Sequence, residues 1–104
     1  MADKGKLHFI ISRVESKRFT GNRKKDVASI ASIYWCEIIR NHVFTDGNKR
    51  TATETMKLFL KMNGVEIEAP YNGLIYISLK IANGDMKYPE VVSWLHGRIR
   101  EVKK

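Results

Sequence analysis

His42-Val43-Phe44-Thr45-Asp46-Gly47-Asn48-Lys49-Arg50 interrupts a helical pattern near the middle of the chain. On its N-terminal side, Val27, Ile30, Ala31, Tyr34 and Ile38 recur at helical spacing. With their neighbours they are too dense for a surface stripe, so the helix that starts near Asp26 is central and buried on more than one side. It must end near Arg40 or Asn41, because Thr45-Asp46-Gly47-Asn48 is turn chemistry. A new helix opens at about Asn48. In it Ala52, Met56, Phe59 and Leu60 follow the 3.6-residue period, and Asn63-Gly64 supplies the left-handed residues that close a helix.

Working outward, Leu7, Ile10, Ile11 and Val14 predict a short amphipathic helix from about Leu7 to Ser16. Lys17 to Lys25 is polar, contains Thr20-Gly21-Asn22 and predicts an exposed loop or small hairpin. Val65-Glu66-Ile67-Glu68 alternates as a short extended segment that alone cannot make a sheet. A fourth helix runs from roughly Tyr71 to Ala82 and stops at Asn83-Gly84. Pro89 suits the first turn of a fifth, whose Val92, Leu95, Ile99 and Val102 step by three and four. The expected fold is all-α, a compact bundle of about five helices in a single domain over residues 1–104, with at most one short extended segment or hairpin. No internal repeat or low-complexity tract interrupts it.

The bulk composition is that of an ordinary globular chain of 104 residues, 43% of them apolar. The apolar runs are far below the roughly 18 residues that span a bilayer. Nor does the N-terminus carry the apolar region of a signal peptide. The expected location is therefore cytoplasmic, with no membrane. Cys36 is the single cysteine, which excludes an internal disulfide and, among Tyr34, Trp35, Ile38 and Ile39, reads as a buried, inert thiol. A net charge of +8 invites a nucleic-acid reading. The cations are spread along the chain instead of interleaved with aromatics on one face, so a solvated basic surface, or one that meets an acidic protein, is the simpler account.

The interrupting loop has the chemistry for handling phosphate. A helix starting at Asn48 presents unpaired N–H groups and the positive end of its dipole. Gly47 permits positive φ and an anion-holding curl of backbone, and Asn48 adds an amide donor. Arg50 brings a planar fork and Lys49 a mobile point charge. Asp46 is a hard oxygen ligand suited to Mg²⁺, which commonly bridges a carboxylate and substrate phosphates. An imidazole such as that of His42 accepts protons near neutral pH. Phe44 reads as an anchor that pins the loop to the core. Taken singly, each residue has a duller explanation: a helix-end histidine, a common turn, a solvated cation pair. Their conjunction carries the argument. His8 and His96 lack such company.

The same stretch resembles the signature loop of the Fic/Doc superfamily, His-x-Phe-x-Asp/Glu-Gly/Ala-Asn-Gly/Lys-Arg. The resemblance continues through Arg50-Thr51-Ala52, Leu58-Phe59-Leu60 and Asn63-Gly64-Val65, which are similar to the helix after the signature in the Doc (death-on-curing) branch. It covers about Leu7 to Val102. It implies that His42 deprotonates a target hydroxyl, that Asp46 holds Mg²⁺, and that Asn48, Lys49, Arg50 and the backbone amides grip the phosphates of ATP. Gly47 would shape the nest and Phe44 anchor it.

Enzymes of the Fic type that transfer AMP have a second glycine where this chain has Lys49, and another arginine where it has Thr53. Doc-like proteins share the lysine, whereas Gly47 is closer to Fic than the alanine usual in Doc. The resemblance therefore implies transfer of the γ-phosphate of ATP to a protein hydroxyl, that of elongation factor Tu in the Doc branch, by the toxin of a toxin-antitoxin pair. AMP transfer is the alternative. The inhibitory-helix pattern Ser/Thr-x-x-x-Glu-Gly/Asn is absent from the sequence, so the expected regulator is a separate antitoxin whose tail folds on binding. The N-terminus looks shorter than in typical Doc proteins, which would expose an apolar face to a partner or a homodimer. Lys17 to Lys25 is expected to act as the flap that aligns a protein substrate. A non-catalytic basic module that binds nucleic acid or protein is the competing reading, against which Asp46 would repel nucleic-acid phosphates unless a metal intervened.

Overall fold

A computed structural model describes residues 3–44 and 47–102. Its elements are α1 (Lys4–Glu15), α2 (Arg23–Arg40), α3 (Asn48–Met62), β1 (Val65–Ile67), α4 (Tyr71–Ala82), α5 (Tyr88–His96) and β2 (Ile99–Glu101). The chain is thus a bundle of helices with one small ribbon. None of the described helices is long and apolar enough to cross a membrane.

Caps set the helix starts earlier than periodicity indicates. The Asp3 carboxylate accepts the Lys6 N–H at 3.0 Å, and the Asn22 side chain accepts that of Lys25 at 3.0 Å, so each helix begins right after a side chain able to satisfy its first turn. Asp3 also donates its own N–H to the Val43 carbonyl at 2.8 Å. This bond joins the start of α1 to the end of α2. The two helices therefore run antiparallel, and the loop between them lies at the opposite end of the bundle from His42.

That loop is fastened by Asp26. Its carboxylate accepts the Thr20 N–H at 2.9 Å and the Thr20 hydroxyl at 2.8 Å. The Thr20 N–H is the main cause that holds the Asp26 carboxyl below its ordinary value of 3.8, against the opposing effect of burial. A depressed carboxyl pKa means that this contribution to stability is complete above the unfolded-state value and is lost as pH falls through the folded-state value. The loop is therefore expected to undock only in acid, below about pH 4, and Asp26→Asn to remove that transition. Amide exchange at Thr20 as a function of pH measures both.

α2 is surrounded on nearly all sides. Trp35, Cys36, Ala28 and Ala31 are wholly buried, and Ile33, Ile38 and Ile39 nearly so. Burial pushes the Cys36 thiol up to about 12, which leaves it protonated and unreactive. Trp35 carries a polar group at this depth, and it is satisfied. Its indole N–H donates to the Ser78 hydroxyl at 2.9 Å and lies 3.2 Å from that of Thr53, while the two hydroxyls stand 2.9 Å apart. Thr53 reaches the Lys49 carbonyl at 2.8 Å and Ser78 that of Leu74 at 3.0 Å. The network ties α2, α3 and α4 together, and its Lys49 carbonyl lies in the first turn of α3.

One expectation is corrected at the C-terminal end. α5 stops at His96 instead of continuing through Ile99 and Val102, and the segment after it gives the expected extended stretch Val65–Ile67 a strand partner. β1 and β2 pair antiparallel with Val65 opposite Glu101, Glu66 opposite Arg100 and Ile67 opposite Ile99. The steps of three and four from Val92 to Val102 mimic a helix. However, the residues that would continue it turn away at Gly97 and pair with β1, with Ile99 buried and Arg100 and Glu101 exposed. Leaving the helix at Gly97 frees the backbone to pair, with the Glu68 N–H donating to the Arg98 carbonyl at 2.7 Å and the Val102 N–H to the Gly64 carbonyl at 2.8 Å. Gly64, at φ 70°, makes the turn that brings β1 back from α3. Arg100 reaches both Glu66 and Glu68 across the ribbon.

Candidate active site

His42 follows the last turn of α2 with φ 48°, the only positive φ at a non-glycine among the described residues. Its side chain is exposed. The preceding residue is held firmly: the Asn41 amide donates to the Glu37 carbonyl at 2.9 Å and to its carboxylate at 3.2 Å, and Glu37 pairs with Arg13 of α1 at 3.4 Å. Backbone strain of this kind persists only where the surroundings enforce it. Here the α2 terminus, the Arg13–Glu37 pair and the Asp3–Val43 bond do so together.

Beyond His42, Val43 is buried and Phe44 packs half-buried against the core. Thr45 and the expected metal ligand Asp46 lie outside the described residues. The segment is closed by Asn48. Its side-chain oxygen accepts the Phe44 N–H at 2.8 Å, and its side-chain nitrogen donates to the Phe44 carbonyl at 2.8 Å. The amide thus works as a latch across the neck of the loop, and one of its two N–H protons remains for a ligand.

Gly47 enters α3 at φ 69° with no side chain capping the helix. Lys49 and Arg50 are exposed in the first turn, and neither belongs to an ion pair among the described residues. Uncapped amides, a positive dipole end and two cations suit a polyphosphate. A Cβ added at Gly47 would meet nothing within 4 Å, so the glycine is required for its φ and not for space. Gly47→Ala is expected to fold and to lose only about 1 kcal/mol through left-handed strain; a chemical melt measures it.

The structure separates other expected participants from this loop. Thr53, at the position of the second Fic arginine, is fully buried in the Trp35 network. Lys17 to Lys25 does not sit beside His42. The 18 residues of α2 put about 27 Å of helix between them, and Asp26 holds the loop where it is. Arg23 there is engaged with Glu101 at 3.0 Å and with the Asn63 carbonyl. His8 is exposed on α1 and His96 is half-buried at the end of α5. A groove of about 660 Å³ runs along α3 and β1 past Lys57, Leu58 and Ile67 and does not include His42. Among the described residues no group of three or more His, Cys, Asp or Glu could hold a metal ion.

Sequence reasoning missed the support behind the loop. Glu37 could have been noticed as the single acid among Trp35, Cys36, Ile38 and Ile39, since a carboxylate in so apolar a stretch needs a partner. Nothing local marked Ser78 as part of the same unit as Lys49.

The Fic/DOC family model matches residues 3–60, from the start of α1 through most of α3, and the chain belongs to the Fic/DOC family. It is 32% identical over 96 residues to the protein kinase doc of Escherichia phage P1, an alignment that covers 91% of this chain and 74% of that protein. No solved structure matches it.

Proposed function

We propose that this chain is a Doc-like toxin that transfers the γ-phosphate of ATP to a hydroxyl of a target protein. The observation that carries the reading is the loop itself: an exposed His42 in a strained, braced conformation, one latched turn away from an uncapped helix bearing Lys49 and Arg50. The phage relative is named a protein kinase, in line with this direction of transfer. His42 takes the proton of the target hydroxyl as its oxygen forms the new bond to the γ-phosphorus and the bond to the leaving ADP oxygen breaks. The amides of the α3 terminus, Lys49 and Arg50 neutralise the phosphates, and Asn48 keeps His42 and the cations in register. Asp46 would hold Mg²⁺, which would supply further charge neutralisation.

Thr53 favours phosphate over AMP transfer. Buried as it is, position 53 offers no second arginine to an outer phosphate. The partners proposed with this reading are a cytoplasmic protein substrate, elongation factor Tu by family resemblance, and an antitoxin.

The deciding experiment incubates the protein with Mg²⁺, a cytosolic extract and ATP labelled at either the γ or the α position. Protein labelled from the γ position alone is the expected result. Label from the α position would show AMP transfer, and none from either would remove the enzymatic reading.

A further inference from the structure

At the end of the bundle remote from His42, α5 packs beside the start of α2 and leaves a cleft of about 480 Å³. Lys17, Lys25 and His96 line it together with Tyr88 and Val92. No carboxylate lines it. The ion pairs of the described residues involve neither lysine. Asp26, the acid that faces Lys17, is already bound by the Thr20 N–H and hydroxyl.

The apolar part of the cleft is rigid. The Tyr88 hydroxyl donates to the Ser29 carbonyl at 3.1 Å, and the Arg13 guanidinium lies 5.3 Å from the centre of the ring. Two ammonium groups therefore line the same cleft as an anchored aromatic ring and an aliphatic side chain, in a volume within the roughly 300–1,000 Å³ of ordinary ligand sites. That combination selects its occupant. A polyanion such as nucleic acid asks for cations strung along a track and gains nothing from Val92. A peptide that places carboxylates on either side of one apolar side chain uses both features.

We propose that this cleft docks an acidic peptide segment of a partner protein, its carboxylates meeting Lys17 and Lys25 and an intervening apolar side chain seated against Tyr88 and Val92. The site does not depend on the phosphotransfer reading. It lies about 25 Å along α2 from His42, so a bound segment leaves the loop open. The +8 net charge of the chain would speed the approach of such a segment.

The test is fluorescence anisotropy of a short labelled peptide with glutamates flanking a single leucine, titrated with the full chain. Lys17→Gln/Lys25→Gln is expected to weaken binding by about ten-fold or more without moving the thermal unfolding midpoint. Lys57→Gln/Lys61→Gln, which removes the same charge from the α3 face, should weaken it far less. Replacing the peptide's leucine by serine should also weaken it. Equal losses from the two double variants would reduce the site to general charge attraction and overturn the proposal. So would a serine peptide that binds as well as the leucine one, or single-stranded DNA that displaces the peptide at equal charge.

Discussion

His42→Gly is expected to yield a protein more stable than the parent and, under the proposed mechanism, strongly impaired in phosphate transfer. The residue sits at φ 48°, where a side chain costs roughly 1 kcal/mol that glycine does not incur. Because the imidazole is exposed, little packing is lost with it. Removal of a general base lowers the rate by about 10²–10⁴-fold. His42→Ala should lose the same activity without gaining stability, since alanine retains the steric conflict. Chemical denaturation of both variants beside a γ-phosphate transfer assay separates the effects. A His42→Gly protein that keeps its activity would remove the histidine from the chemistry, and one that melts earlier than His42→Ala would deny the strain.

Trp35→Ala carries the largest expected cost to the fold. Truncating a fully buried tryptophan takes about 3–5 kcal/mol from a domain, and it leaves Thr53 and Ser78 to share donors and acceptors around a cavity. For about 100 residues each kcal/mol is worth roughly 4–8 °C, so the midpoint should fall by tens of degrees or the cooperative transition disappear. Trp35→Phe keeps most of the volume and loses only the N–H. The two hydroxyls can still reach the Lys49 and Leu74 carbonyls, so its cost should be nearer 1–2 kcal/mol. A thermal melt followed by near-ultraviolet dichroism distinguishes the variants. If Trp35→Phe proved as damaging as Trp35→Ala, the hydrogen bond rather than the bulk would be the dominant contribution.

The elements that could be read from the sequence are those whose information is local. α2 announced itself because nearly every residue from Val27 to Ile39 is apolar or small, a density that only an interior helix tolerates. The loop at His42–Arg50 was legible because reactive side chains are adjacent in sequence. Features that depend on two distant segments were not. The last strand resembled a helix until Ile67 and Ile99 were seen opposite each other, 32 positions apart in the register. The segment from Lys17 to Lys25 has suitable composition for a substrate guide, but composition does not reveal which end of a helix faces the chemistry. Asn48 was read as a ligand for phosphate because its amide can serve that purpose. Only geometry showed that the same amide also bonds Phe44 through its oxygen and one N–H, with the second N–H left for a ligand. His42's backbone torsion likewise follows from the way α1 and α2 are tied, not from the identity of the residue.

The bond from the Asp3 N–H to the Val43 carbonyl has a practical consequence for handling the protein. Anything fused ahead of Asp3 leaves the fold one residue from His42, whereas β2 carries the C-terminal side of the chain to the other pole, beside Gly64. An affinity tag or fluorescent reporter at the N-terminus would crowd the histidine and could silence the protein during expression. The same cargo attached after Val102 would stand clear of it, so the two fusions form a built-in pair: one masked for production, the other open for assay.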